Sequence, residues 1–209
     1  MEALKIINTE KILFLDIETV PLKIENDDVR EYLMDHKINR EMRMYNPNYS
    51  RIVCICLKFY DEECKIFFNE DEKELLNEFW DFIKLNFKDT VFVTHNGYGF
   101  DVPFINLRSI INSINIPFSF NMNKWNMETS NHFDVMLFFS NQGNFTNMPM
   151  NILAKINNVP VQDGIIGSEV EKYFIEKDFD KIIERCKNDV ELLENVFEKL
   201  CMNYRKGKF

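Results

Sequence analysis

Three apolar segments in the first third of the chain predict β-strands. Residues 11 to 20, KILFLDIETV, are apolar on both alternating faces as far as Asp16, a pattern typical of a strand inside a sheet. The segments RIVCICLKFY and CKIFFN are rich in β-branched and aromatic residues and are separated by acidic residues 61 to 63, which predicts a hairpin. Between the first strand and the hairpin, residues 21 to 45 are charged and predict a helical or irregular surface excursion.

Helices and strands alternate after the hairpin. DEKELLNEFWDFIKLNF begins with acidic residues and carries apolar residues at helical spacing, namely Leu75, Phe79, Phe82, Ile83 and Leu85. TVFVTHN predicts a buried strand, DVPFINLRSIINSI a helix, and NHFDVMLFF a short strand that leads into a helix. This order predicts an α/β fold with a mixed five-stranded sheet and helices packed on it. No repeat or linker divides the chain, so residues 1–209 are expected to form a single domain.

The composition and charge of the chain limit the kinds of protein that it can be. Lys and Arg number 25 against 34 Asp and Glu, and this net charge of -9 argues against coating nucleic acid through bulk charge but permits a local groove. The five cysteines lack paired C-x-x-C spacing, which indicates reduced thiols and a cytoplasmic location. MEALKIINTE lacks the features of a signal peptide, and no apolar stretch approaches membrane-spanning length, so no membrane association is expected.

Two carboxylates, Asp16 and Glu18, interrupt the first predicted strand. They share one face about 7 Å apart, so in a buried strand end they would repel each other and lose hydration. A divalent metal between them would resolve that conflict. The alternative is that the strand reaches the surface at Asp16 and leaves both carboxylates solvated.

Two further acidic residues lie at the edges of other predicted elements. In THNGYGFDVPF, two glycines bring Asp101 to the carboxyl end of a strand, where open α/β sheets bind ligands, although Asp101 also suits a helix N-cap. Asp189 falls in the apolar stripe of the last helix, which is costly unless it binds a metal or pairs with Arg185 or Lys187. Four such carboxylates favour one shared site over four coincidences.

The segments FLDIETV, HNGYGFDVPF and CKNDV, in this order and spacing, resemble the three exonuclease motifs of the DEDD superfamily of 3′–5′ exonucleases. The chain is similar to stand-alone bacterial proteins related to the exonuclease domain of family B DNA polymerases, over most of its length. The resemblance implies a ribonuclease H-like fold with helices on both faces of the sheet. It also implies that Asp16, Glu18, Asp101 and Asp189 are the catalytic and metal-binding carboxylates, with Asp16 shared by two ions and Asp101 holding one through water.

The resemblance also indicates the cofactor and the substrate. Oxygen ligands select Mg²⁺ or Mn²⁺ over zinc, and two such ions about 3.5 to 4 Å apart suit phosphodiester hydrolysis. Asn96 matches the motif position that contacts the nucleic-acid end. Phe100 and Trp125 either stack on bases or pack in the core. Asp134 either supports residues of the site from behind or is simply a strand end, and the strand end is the preferred interpretation.

The last motif departs from the superfamily pattern. The tyrosine branch has Tyr four residues before the last Asp and the histidine branch has His five residues before it, but this chain has Arg185 and Glu184 there. Arginine has donors only, so Arg185 is predicted to bind a substrate phosphate rather than to orient the attacking water. Glu184 is either a replacement base or a surface residue.

The expected function is therefore metal-dependent 3′–5′ hydrolysis of single-stranded DNA ends, with a replication or repair protein as a partner. Two alternatives remain open. One is a catalytically weak or inactive relative that binds nucleic-acid ends or a replication protein, which the Arg185 substitution favours. The other is an exonuclease of the same fold that acts on RNA.

Overall fold

Five strands form one mixed sheet. A computed structural model describes residues 12–86, 90–117, 131–162 and 164–202. The strands are β1 (Ile12–Pro21), β2 (Ser50–Phe59), β3 (Lys65–Phe68), β4 (Val91–Thr94) and β5 (His132–Asp134), in the spatial order β3-β2-β1-β4-β5. β2 is antiparallel to β1 and β3, whereas β4 is parallel to β1 and β5 is parallel to β4. The predicted hairpin, interior first strand and mixed sheet are all confirmed.

Helices connect and cover the strands. The predicted surface excursion carries α1 (Asp27–Asp35) and α2 (Arg40–Arg43), and the remaining helices are α3 (Glu72–Asn86), α4 (Asp101–Ile111), α5 (Val135–Phe139), α6 (Met150–Ile156), α7 (Val170–Glu176) and α8 (Phe179–Val196). A 3₁₀ turn (Gly167–Glu169) precedes α7, and a π-helical segment (Phe197–Met202) continues α8. Within the described ranges, none of these helices has the length and apolar character needed to cross a bilayer.

The alternating side chains of β1 divide the core into two layers. Leu13, Leu15 and Ile17 pack with α3 and α4 on one face of the sheet, whereas the opposite face packs against α6, α7 and α8. Helices therefore lie on both faces, as expected. One detail of the predicted α3 stripe is wrong, because Leu85 is 83% exposed. It follows the buried Ile83 by two residues, which places it on the opposite side of the helix.

The central strand extends beyond its parallel neighbour. β1 pairs with β4 only over Ile12–Phe14, whereas it pairs with β2 as far as Pro21. The register with β2 shifts after Glu18, where Val53 is the extra residue of the β2 strand. The carboxyl-terminal half of β1 therefore reaches an opening at the carboxyl ends of β1 and β4, the edge at which α/β sheets usually bind ligands.

Candidate metal centre

The side chains of Asp16 and Glu18 are on the face of β1 that packs against α8. Glu18 is only 6% exposed and Asp16 is partly buried. Their cross-strand partners on β2 are the buried Cys56 and Cys54. Cys186 of α8 places its Sγ 3.6 Å from the Asp16 main-chain oxygen and 3.7 Å from Oδ2. Weakly polar thiols therefore surround the base of the two carboxylates and exclude water, so the interpretation of a fully solvated strand end is wrong.

The other two predicted carboxylates come from α8 and α4. One oxygen each from Asp16, Glu18 and Asp189 lie within 4.8 Å of one another. Asp101 is outside that group of three, but it is 3% exposed and accepts a hydrogen bond from the backbone of Ile17, between the two β1 carboxylates. Asp101 is the first residue of α4 and not its N-cap, because Phe100 occupies that position without a side-chain cap bond.

Burial raises the proton affinity of all four carboxylates. Burial raises the pKa of Asp16 well above its usual range, and repulsion by the other three carboxylates raises it further. Burial raises the pKa of Glu18 to about 8 against the opposing effect of Arg185. Burial also raises the pKa of Asp101 to about 8, although backbone hydrogen bonds oppose this shift. Burial raises the pKa of Asp189, which Arg185 again opposes.

Arg185 contacts two of these carboxylates. Its Nε lies 2.7 Å from Glu18 Oε1, and its Nη2 lies 2.8 Å from Asp189 Oδ2. The ion-pair alternative for Asp189 is thus realised by Arg185, whereas Lys187 is exposed and makes no ion pair with any residue the structure describes. Glu184 is exposed as well and does not line the cleft beside Asp16.

The donor set fits a hard divalent cation. Glu18 Oε1 and Asp101 Oδ1 are buried without a hydrogen-bond partner. Arg185 Nε approaches Glu18 Oε1, but its N–H is not directed at that oxygen. A buried carboxylate oxygen without a partner is costly, and a cation would satisfy both atoms. Since every donor is a carboxylate oxygen, the chemistry of the cluster favours Mg²⁺ or Mn²⁺.

Asp134 shapes the loop that carries Asn96. Its carboxylate accepts hydrogen bonds from the main-chain N–H groups of Asn96 (3.1 Å), Tyr98 (3.0 Å) and Leu137 (3.2 Å). Asn96 has φ of 67°, and an added Cβ on the following Gly97 would lie 2.1 Å from Thr94 Oγ1, so the tight turn requires glycine there. The supporting role is therefore the alternative that the contacts favour over a simple strand end, and an Asp directly before a predicted helix is a capping signal for it.

A cleft of about 1040 Å³ opens over the carboxylates. Asp16, Asn96, Arg185 and Asp189 line it, together with the amide side chains of Asn147, Asn151, Gln162, Asn188 and Asn195. Tyr45, which sequence reasoning missed, also lines the cleft and is 72% exposed. The only indication in the sequence was that Tyr45 is an aromatic residue in an otherwise charged surface segment.

The two aromatic candidates from the sequence have different positions. Phe100 is not among the described residues that line the cleft. Its ring centroid lies 5.2 Å from that of Phe104 and 6.0 Å from that of Tyr45, so it supports Tyr45 from below. Trp125 is outside the described residues.

Without metal, we expect the melting temperature to fall as the pH rises from about 5 to about 8.5. The folded-state pKa values of Glu18 and Asp101, about 8, exceed the unfolded values near 4, so the folded state binds more protons in this window and its extra stability is lost as those protons leave. A divalent ion binds the ionised carboxylates, so its stabilising increment should be larger at about pH 8.5 than at about pH 5. Thermal melts with Mn²⁺ or with chelator measure both effects.

The control for this prediction is the double variant Glu18→Gln, Asp189→Asn. It removes two carboxylates of the cluster, so the metal-induced increment should shrink strongly. An undiminished increment in that variant would place the ion elsewhere.

A family model matches most of the chain. It describes a predicted 3′–5′ exonuclease related to the exonuclease domain of PolB and matches residues 44–201. Asn96, Asp101 and Asp189 fall inside this range, whereas Asp16 and Glu18 precede it. No curated protein matches the chain.

Solved structures also resemble this chain. The family B DNA polymerase from the hyperthermophilic archaeon Pyrobaculum calidifontis is similar with a TM-score of 0.64 and 19% identity, over 91% of this chain and 24% of the polymerase. The likeness confirms the expected ribonuclease H-like fold, and this chain spans about a quarter of the polymerase's length. The chain belongs to the family of predicted 3′–5′ exonucleases related to the exonuclease domain of PolB.

Proposed function

We propose that the chain is a metal-dependent 3′–5′ exonuclease that hydrolyses phosphodiester bonds at single-stranded DNA 3′ ends, with residues 1–209 acting as one exonuclease-like domain. The observation that carries this proposal is the convergence of Asp16, Glu18 and Asp189 from β1 and α8 to within 4.8 Å, beneath an open cleft. The unpartnered oxygens of Glu18 and Asp101 support a cation at the same place.

Each carboxylate has a proposed role. Asp16, Glu18 and Asp189 would hold the Mg²⁺ or Mn²⁺ ions directly, and Asp101 would hold an ion through water. When bound, two such ions supply Lewis acidity for in-line displacement at phosphorus. The buried thiols below Asp16 exclude water from the ligands, which strengthens the electrostatic interactions above them.

The cleft lining suits a nucleic-acid end. The amide side chains offer donors and acceptors to base and sugar edges, and the metal ions would supply positive charge where the phosphate lies. Asn96 is held by Asp134 at the rim, where it is proposed to contact the terminal nucleotide. Arg185 is the proposed phosphate ligand, and Phe100 is proposed to assist substrate binding by supporting Tyr45, which would contact the bases.

Replacing Tyr45 by Ala is expected to weaken single-stranded DNA binding about 5- to 150-fold, because stacking of one base on an aromatic ring contributes about 1–3 kcal/mol. Fluorescence anisotropy in an Asp16→Asn background measures the dissociation constant without cleavage. The control is Tyr32→Ala, since Tyr32 is partly exposed on α1 and stacks on His36 outside the cleft. Equal affinities for Tyr45→Ala and Tyr32→Ala would remove Tyr45 from the substrate site.

A catalytically weak relative is the second candidate, because Arg185 offers no acceptor to an attacking water. A group that orients or deprotonates the nucleophile is typically worth about 10²- to 10⁴-fold in rate, so turnover is expected to be slow even if end binding is intact.

The free thiols of the described cysteines support a cytoplasmic location, and a replication or repair protein is the proposed partner.

One assay separates these functions. The protein is incubated with end-labelled single-stranded DNA and RNA in Mn²⁺, with and without chelator. Chelator-sensitive shortening of DNA from the 3′ end supports the proposal, and preferential shortening of RNA supports the RNA-directed alternative. End binding without shortening of either substrate supports the weak or inactive relative.

A further inference from the structure

Arg185 occupies the position of a cation in the carboxylate cluster. Its guanidinium touches Glu18 and Asp189, two of the three residues whose oxygens converge. Arg185 and Asp189 are four residues apart on α8, which brings their side chains together on one helix face. The contact with Glu18 is therefore the one that joins α8 to β1, and it places the positive charge between the strand and the helix.

The arginine side chain is also held from the opposite side. Its Nη1 donates to the main-chain oxygen of Ile165 at 2.5 Å. The backbone at Gly167 also lies beside the guanidinium, since an added Cβ there would be in van der Waals contact with Nη2 at 3.5 Å. The segment before α7 thus holds the guanidinium through contacts that do not involve the carboxylates.

The contact with Glu18 is close but poorly aligned. Arg185 Nε and Glu18 Oε1 approach to 2.7 Å, yet neither atom has a hydrogen-bond partner, because the N–H does not point at the oxygen. Burial by itself would lower the pKa of Arg185, but attraction by Glu18, Asp189 and Asp16 raises it. The guanidinium therefore remains charged and attracted to the cluster, but its Nε–H makes no aligned hydrogen bond to Glu18 Oε1.

We infer that Arg185 is a tethered cation that competes with divalent metal for Glu18 and Asp189 and moves to a substrate phosphate when metal binds. This inference rests on the proposed function. A divalent ion carries twice the charge of the guanidinium, so it can take the place of Arg185 at Glu18 and Asp189, but it must displace a positive charge to do so. A phosphate in the cleft offers the guanidinium a bidentate partner and lowers the cost of that displacement.

The inference makes metal and substrate binding mutually dependent. Because such coupling is reciprocal, nucleic acid should tighten metal binding by the same factor as metal tightens nucleic-acid binding. The metal site would then bind ions more tightly when a strand end is present than in the free protein.

Calorimetric titration of Mn²⁺ into the chelator-stripped protein tests the competition without nucleic acid. Arg185→Met should bind Mn²⁺ at least about tenfold more tightly than the wild type, a factor within the usual range of coupling between sites. Lys187→Met removes an equal charge two residues away on an exposed position, so it should stay within about twofold of the wild type. Arg185→Gln, with a smaller change of polarity, provides a second variant if Arg185→Met does not fold.

The second arm adds a six-nucleotide thymidine oligomer with phosphorothioate linkages that resist cleavage. It should tighten Mn²⁺ binding to the wild type and have less effect on Arg185→Met. Equal Mn²⁺ affinities of the wild type and the Arg185 variants without oligomer, or an oligomer that leaves the wild-type affinity unchanged, would overturn the inference. The first arm contains no nucleic acid, so a failure of the nuclease assay alone would overturn the proposed function without altering the Mn²⁺ comparison.

Discussion

Replacing Asp16 by Asn is expected to reduce phosphodiester hydrolysis at least about 10³-fold while the protein remains folded. Metal ions that stabilise charge in the transition state contribute several kcal/mol, and each 1.36 kcal/mol is a factor of ten in rate. Asp16 belongs to the cluster with Glu18 and Asp189, and Asn keeps the shape of the side chain but loses its charge. The measurement is the single-turnover rate on end-labelled single-stranded DNA in Mn²⁺.

Asp180→Asn is the matched control for this variant. Asp180 is an exposed carboxylate in the first turn of α8, so the substitution removes the same charge outside the cleft and should leave the rate unchanged. Circular dichroism and a thermal melt establish that both variants fold. Near-normal, metal-dependent cleavage by Asp16→Asn would show that the cluster is not the catalytic site.

Replacing Arg108 by Met is expected to destabilise the fold by about 3–5 kcal/mol, the usual cost of leaving one member of a buried ion pair without its partner. Glu72 and Arg108 are both about 5% exposed, and Arg108 Nη2 lies 2.5 Å from Glu72 Oε2. Glu72 also accepts the Ile52 main-chain N–H at 2.7 Å, and Arg108 donates to the Pro47 oxygen at 2.9 Å. The pair thus joins α3, α4 and β2 to the segment that carries Tyr45. Chemical denaturation measures the change.

Two variants check the cause of this loss. In Glu72→Gln, Arg108→Met, the uncompensated carboxylate is gone but an acceptor for Ile52 remains, so stability should recover in part. Lys23→Met breaks the exposed pair with Glu25 and should leave the denaturation midpoint unchanged. A fully additive loss in the double variant would mean that packing of the arginine stem, and not an unpaired charge, explains the result.

The fold could be predicted from the sequence because its elements have strong local patterns. The strand at KILFLDIETV, the hairpin and the alternating helices each carry their own periodicity, and the mixed sheet follows from their order. The error at Leu85 arose at the end of α3. Leu85 is apolar like the residues of the buried stripe, but it lies on the other side of the helix.

The site could be predicted only in part. Asp16, Glu18, Asp101 and Asp189 stand out because acidic residues interrupt apolar patterns, and the motif resemblance places them in one centre. The Arg185 contact with Glu18 joins residues 167 positions apart, which no local pattern encodes.

Tyr45 shows the same limitation. It reaches the cleft because Thr19 on β1 donates to the Met44 main-chain oxygen at 2.9 Å and holds the segment there. Such contacts depend on how distant elements pack, and they determine which surface residues belong to the site.

Anomalous diffraction from crystals grown with Mn²⁺ tests the central claim most directly, because it locates the ions independently of any activity. The account predicts anomalous peaks for two Mn²⁺ ions about 3.5 to 4 Å apart, with at least one of them bound to Asp16. Arg185 should have moved away from Glu18. Mn²⁺ bound elsewhere, with Asp16 free of metal and Arg185 still on Glu18 and Asp189, would contradict it.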